Sequence, residues 1–329
     1  RWNSHLMDFD LNEEQQAVME AVERLMQQRA GATRAIELNA AGHYDRQLHS
    51  ALDEAGFSDI ARDLAVDDKL AGLEAALVVE ALARAGAVVS GAARIMVLPA
   101  VHAEPINGPL ALCTRAELRE RTPVRFGAHA EHLLVLDENN VRLVALGPDD
   151  LEPVRTSFGY PMGRATEDSD LAADGAGQSL GAQAVQPVRD WWRLSLAVEA
   201  VGTMEAALDH TVEYLKQRRQ FGRPIGSFQA IQHRLSLCAI AVEASRWLAR
   251  EAAWHGARPE AAAAAAAFAL DAADQLFTET HQMSGAIGFT HEFDLHVWSM
   301  RLLALRQELD GVGGARRALV QARWGAGAQ

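Results

Sequence analysis

The sequence predicts an α+β protein that is mostly helical and built in three successive parts. These are a helical part over residues 7–95, a shortened β-rich part over 96–186 and a four-helix bundle over 187–329. Three observations carry this reading. Apolar residues recur at three- and four-residue steps toward both ends of the chain, the middle replaces that period with short apolar runs between turn residues, and alanine-rich stretches outnumber those rich in Val and Ile. With 329 residues, 49% of them apolar and 23% charged, the chain can bury a substantial core.

The first six residues, RWNSHL, read as a cloning remnant ahead of a natural start at Met7. Asn12 then caps a helix, with Gln15 completing a capping box and Val18, Val22, Leu25 and Met26 forming one apolar stripe. Helical patterns continue to about residue 95. PLALC (109–113), HLLVLD (132–137) and VRLVAL (141–146) read as strands, the last two joined by a turn at Asn139-Asn140. The stretch 165–182, polar and containing Gly, Asp and Ser, reads as a mobile loop.

From Trp191 the helical period returns, with Leu194, Ala197, Val201, Met204, Leu208, Val212 and Leu215 on one face. A second helix is expected from a Ser227 cap, turning Ile231, Leu235, Cys238 and Val242 inward. A third starts at Pro259, which suits a first turn, and runs through seven alanines (261–267) to about Ser284. A fourth follows Thr290. Long helices with short connections imply an antiparallel bundle. The tryptophans at 191, 192, 247, 254, 298 and 324 sit at helical spacings and read as core or interface anchors.

A formal charge of −13 with no basic tail or stripe argues against nucleic-acid and anionic-membrane partners. No apolar run reaches the roughly 18 residues of a membrane span. Cys113 and Cys238 stand alone without metal-ligand spacing, so a reducing, cytoplasmic setting fits and no metal site is expected. In HEFDLH (291–296) the histidines are five apart, about 140° around a helix of 3.6 residues per turn, which is wrong for a zinc pair. GVGGARR (311–317) follows a helical run rather than a strand and makes a poor phosphate loop.

The passage RRQFGRPIGSFQAIQ (218–232) interrupts two long helices with arginines, glycines and an unshielded phenylalanine. Alone it would fit a capped loop with solvated arginines. Together with QMSGAIGF (282–289) and MDFDLNEEQQAVMEAV (7–22), it resembles the acyl-CoA dehydrogenases in order and spacing along nearly the whole chain. That resemblance implies flavin adenine dinucleotide (FAD), with the connector reaching across a subunit interface to the dinucleotide of the neighbouring protomer. Arg218 would fork onto the pyrophosphate, Phe221 would lie against adenosine, and Gln220 and Gln229 would bond phosphate and ribose oxygens. Gln282 would meet the adenine side, and Gly285 would let backbone approach the phosphates. Ala286 stands where the family usually has a second glycine, implying a looser approach or a backbone φ that is not positive there.

The same resemblance implies a glutamate base at one of two places, and neither holds one. At the first, the family's EGT turn is matched by Asp310-Gly311-Val312; at the second stands Trp192, followed by Arg193, which matches an arginine kept beside the active site. Asp310 is the remaining candidate base, about 1.5 Å shorter in reach than glutamate; a solvated turn aspartate fits as well. The segment that cradles the flavin ring in the family is cut to TRAELRERT (114–122). The chain therefore resembles the non-catalytic subunit of heteromeric α2β2 acyl-CoA dehydrogenases of bacterial steroid side-chain degradation, sharing FAD with a homologous partner. A self-sufficient homomeric enzyme using Asp310 and an assembly subunit without flavin are the alternatives.

Overall fold

The computed structural model describes residues 10–66 and 69–325, so the remnant expected at 1–6 lies outside them. Helix α1 (Glu13–Arg29) opens with the expected capping box of Asn12 and Gln15. The amide of Gln15 also donates to Glu74 on α5 (Gly72–Arg84), which buries the glutamine and fastens the two helices together. Between them lie α2 (Ala32–Ala41), α3 (Arg46–Glu54) and α4 (Ile60–Asp63). Residues Ala92–Val97 form a wide π-turn, and every one of them is buried. It carries Arg94 inward, where the guanidinium donates to Asp53, to the ring of His49 and to the carbonyl of Ile106.

Strands form where the apolar runs predict them: β1 (Leu110–Thr114), β3 (His132–Leu136) and β4 (Val141–Ala145), with β2 (Val124–Arg125) between the first two. After β1 the chain turns through α6 (Arg115–Arg119), so β3 returns parallel to β1, with Leu110 beside His132. β3 and β4 make an antiparallel hairpin across Asn139-Asn140. β5 (Leu151–Val154) and β6 (Met162–Ala165) join β2 in a second sheet, and β7 (Gln178–Ser179) edges the first. The stretch 165–182 is mostly turns as expected, but it is tied down rather than free. Leu171 is buried, Arg115 donates to the carbonyl of Ala172, and Arg142 donates to those of Ala173 and Ala176.

The bundle centres on α7 (Val185–Gln217), which begins at Val185 rather than Trp191; Pro187 fits that first turn because its missing N–H is not needed there. Instead of one buried face, α7 is enclosed on nearly all sides from Trp191 to Thr203, since α5 packs on it as well as the other bundle helices. The α5 crossing needs Gly202, because a Cβ there would stand 2.2 Å from the carbonyl oxygen of Glu80. A two-residue hairpin, β8 (Arg219–Gln220) and β9 (Arg223–Pro224), leads to α8 (Gln229–Trp254). Ser227 does not cap α8; its hydroxyl donates back to the carbonyl of Pro224.

Helix α9 (Pro259–Ser284) has the bounds the sequence predicts, and five of its seven consecutive alanines are buried, allowing close helix approach. The expected fourth helix is two, α10 (His296–Leu305) and α11 (Gly311–Trp324). Leu309, Asp310 and Gly311 all have positive φ (50°, 61° and 57°), and this left-handed run breaks the helix. Trp191, Trp192 and Trp298 are buried anchors, whereas Trp254 and Trp324 are 47% and 62% exposed, contrary to a core role within one chain. No helix among the described residues is long and apolar enough to cross a membrane.

Candidate functional site

The residues singled out in the sequence fall into two groups at opposite ends of α7. At its C-terminal end the β8–β9 hairpin turns on Phe221 and Gly222, with φ of 55° and 80°. Such left-handed pairs suit a two-residue hairpin turn, but phenylalanine is an unusual choice for one. Its ring is 91% exposed and touches only the edge of Phe228, with ring centres 6.1 Å apart. Arg223 lies over the other aromatic, 3.9 Å from the Phe228 ring centre, and this contact stiffens the turn.

Arg218, the residue capping α7, has an exposed side chain with no partner among the described residues. The side chains of Gln220, Gln229 and Gln282 are likewise exposed and make no hydrogen bond among those residues. Helix α9 runs back to the same end, and an Arg234–Glu279 ion pair holds its last turns against the first turns of α8. Gly285 ends α9 at φ 68°, with nothing within 4 Å of where a Cβ would be. Ala286 is not among the residues of positive φ, so alanine is at no disadvantage there. The six expected cofactor residues thus share one end of the bundle, with their polar groups facing outward.

At the other end, Arg193 and Asp310 line one open cleft of about 950 Å³ between α6, the first turns of α7 and α11. Twenty-five residues at 1.5 Å each put Arg193 about 38 Å from Arg218 along α7. Asp310 is 78% exposed and accepts a 2.8 Å bond from Arg317. Arg193 leans on Asp190 at 3.5 Å; burial lowers its pKa, with Asp190 opposing and Arg189 adding to the effect. Asp310 is therefore a solvated carboxylate paired with a cation.

Behind this cleft, between the second sheet and α7, lies a buried cluster that the sequence reading missed. Arg125 on β2 donates two bonds to Glu199 on α7, at 2.6 and 2.8 Å, and a third to Glu308 at 2.7 Å. The three side chains are 9%, 9% and 13% exposed. Trp192 donates its indole N–H to the other oxygen of Glu308 at 2.6 Å. No glutamate occupies either expected base position, yet Glu308, two residues before Asp310, reaches the side chain that fills the other one. Arg125 also lies 5.1 Å from the ring centre of Tyr160, and Arg301 approaches the same ring at 4.7 Å.

Burial works against the charge on Arg125, but Glu199 and Glu308 outweigh it and hold the guanidinium well above its ordinary range. Burial, with Glu308 adding to it, raises the Glu199 carboxyl above its ordinary range against the opposing pull of Arg125 and Arg301. With both of its oxygens bonded to the fork of Arg125, we take Glu199 as an ionised carboxylate. A signal for the cluster did exist: Glu199 is the one charged residue in the run from Leu194 to Met204. Arg125 lies 74 residues from Glu199 and 183 from Glu308 in sequence, separations that no local pattern connects.

The histidines of HEFDLH do not share a helix; His291 precedes α10 and only His296 belongs to it. Among the described residues no group of His, Cys, Asp and Glu could hold a metal ion.

A helical N-terminal part, paired small sheets and a long-helix bundle define an acyl-CoA dehydrogenase-like fold. Residues 12–122 match the acyl-CoA dehydrogenase N-terminal domain, and residues 181–324 match the acyl-CoA dehydrogenase C-terminal domain. The chain belongs to the acyl-CoA dehydrogenase family. It is 36% identical over 137 residues to the acyl-CoA dehydrogenase IpdE2 of Mycobacterium tuberculosis, a match covering 42% of this chain and 43% of that protein. The chain spans less than half the length of the curated relatives it first matches. In fold it is similar to a chain of the ChsE4-ChsE5 complex from Mycobacterium tuberculosis, with a TM-score of 0.78, 22% identity, and coverage of 96% of this chain and 98% of that one. The Tcur3481-Tcur3483 steroid ACAD is similar too, with a TM-score of 0.73, 24% identity and coverage of 96% and 99%.

The family implies FAD, and the two ends of α7 meet that requirement differently. The outward Arg218, Gln220, Phe221, Gln229, Gln282 and Gly285 fit a dinucleotide held from one side. At the Arg125–Glu199–Glu308 cluster the fit fails: the spaces beside Arg125 and beside Glu199 are each about 10 Å³.

Proposed function

We propose that this chain is a subunit of an FAD-dependent acyl-CoA dehydrogenase and that it completes the FAD site of a homologous partner in an α2β2 assembly. One observation carries the reading: the unpartnered dinucleotide residues lie about 38 Å along one helix from this chain's own Arg193–Asp310 cleft. That is longer than one dinucleotide, so the two groups do not serve the same cofactor molecule. A copy of this chain does not supply the missing half, because every copy has the same filled centre. The partner is then a chain of the same fold with an open ring seat.

In that assembly FAD supplies the hydride acceptor for α,β-dehydrogenation of an acyl-CoA thioester. Arg218 presents two N–H donors in the fixed geometry that suits a pyrophosphate. Phe221 offers a face to adenosine, and Gln220, Gln229 and Gln282 offer amides to phosphate, ribose and adenine. Gly285 leaves its backbone open to close approach. A bulky, ring-bearing thioester of the steroid side-chain type suits the shortened middle part, and the setting we assign is cytoplasmic.

Co-expression with a homologous subunit tests the proposal. The expected result is a yellow complex and a colourless single chain, with Arg218→Ala lowering flavin content of the complex at least about tenfold, as for loss of a buried bidentate contact. A single chain that is itself yellow and oxidises an acyl-CoA, losing turnover in Asp310→Asn, would establish the self-sufficient enzyme instead. A complex whose spectrum is indifferent to Arg218→Ala would mark an assembly subunit that lends no grip on FAD.

A further inference from the structure

We infer that Arg125, Glu199 and Glu308 form a built-in plug that takes the place of the flavin ring in this chain and closes its own catalytic centre for good. Position is the first argument. The plug bridges the second sheet to α7, the two walls between which a ring would lie, and Glu308 stands two residues from the Asp310 that matches the family's base. The nine residues 114–122 are the reason Arg125 can reach. They return the chain through α6 to β2, directly over α7, with no longer segment to hold the sheet away.

Space is the second argument. The two voids lined by the plug's own residues, about 10 Å³ each, hold about one water apiece and no planar tricycle, and the open Arg193–Asp310 cleft lies in front of them. Charge is the third. The two carboxylates are matched by Arg125 and by the fully buried Arg301, so the cluster is neutral as a whole. Arg301 is held in turn by the carbonyls of Ala87 and Gly159. Every oxygen of the two carboxylates and every nitrogen of Arg125 is bonded within the cluster or to Trp192, which leaves Nη2 of Arg301 as its one buried group without a partner among the described residues.

The plug stands on this chain's geometry alone; only its consequence, one flavin for each pair of chains, rests on the proposed function. The test therefore has two arms. In the first, the wild-type chain alone is titrated with flavin mononucleotide, which carries the ring and one phosphate but no adenosine and so bypasses the Arg218 end. No saturable quenching of flavin fluorescence is expected, and one-to-one saturation would overturn the inference. In the second, Arg125→Met, Glu199→Met, Glu308→Gln and Arg301→Met are combined, keeping volume and the acceptor for Trp192 while removing all four charges together. Replacing a buried ion cluster as a unit is tolerated, so turnover and flavin content of the co-expressed complex should stay within about twofold. A loss of turnover of about tenfold or more at unchanged flavin content and thermal midpoint would make one of the four a participant in the chemistry and sink the plug. If the complex holds no flavin at all, the proposed function fails while the first arm still decides the plug.

Discussion

At the scale of single residues, the structure sorts its buried ionisable groups by whether they keep or give up charge. His49 gives it up. Its Nε2 faces the guanidinium of Arg94 at 2.7 Å and must accept, which assigns the proton to Nδ1, donating to the hydroxyl of Tyr44 at 2.7 Å. Burial and then Arg94 lower its pKa to about 4 against Asp53, while burial lifts the Tyr44 phenol to about 12. The folded state thus disfavours His49 protonation. Its contribution to stability is complete above the unfolded value of about 6.5 and is lost as pH falls from there through about 4. Urea unfolding of wild type and His49→Gln across that window should show a steeper loss in wild type; parallel curves would mean the imidazole is already accessible to protons. The capping box of Asn12 and Gln15 was legible because it is local, whereas the bond from Gln15 to Glu74 spans 59 residues and was not.

Among secondary-structure elements, periodicity located the first helix, the long bundle helices and the three longest strands, and it failed where tertiary contacts set the boundaries. Helix α7 starts earlier than its apolar stripe because Val185 and Val188 are already buried. The fourth bundle helix is cut by the left-handed run at Leu309–Gly311; Asp310-Gly311 already read as a turn, whereas a positive φ at leucine has no sequence signature. Gly202, by contrast, shows what a single small residue does for an element. With its Cβ position 2.2 Å from a backbone oxygen of α5, Gly202→Ala should force α5 and α7 apart and cost about 1–3 kcal/mol despite alanine's better helix propensity. A chemical-denaturation midpoint equal to or above wild type would refute that close crossing.

For the molecule as a whole, the family and the order of its parts were legible in short motifs, because those motifs hold particular residue types at fixed local spacing. The buried charge cluster was not legible, because it exists only once sheet and bundle meet. The 91% exposed ring of Phe221 belongs to this scale, since it does nothing inside one chain. Phe221→Ala should move the stability of the isolated chain by no more than about 0.5 kcal/mol while reducing flavin retention in the co-expressed complex. Equal retention would show that the tip faces solvent in the assembly as well. The plug has one more consequence. A folded protein whose middle is filled by its own side chains carries no hollow waiting for a vitamin-derived part, so its maturation is uncoupled from riboflavin supply. Copies made under riboflavin starvation should accumulate fully folded and as protease-resistant as those made in plenty.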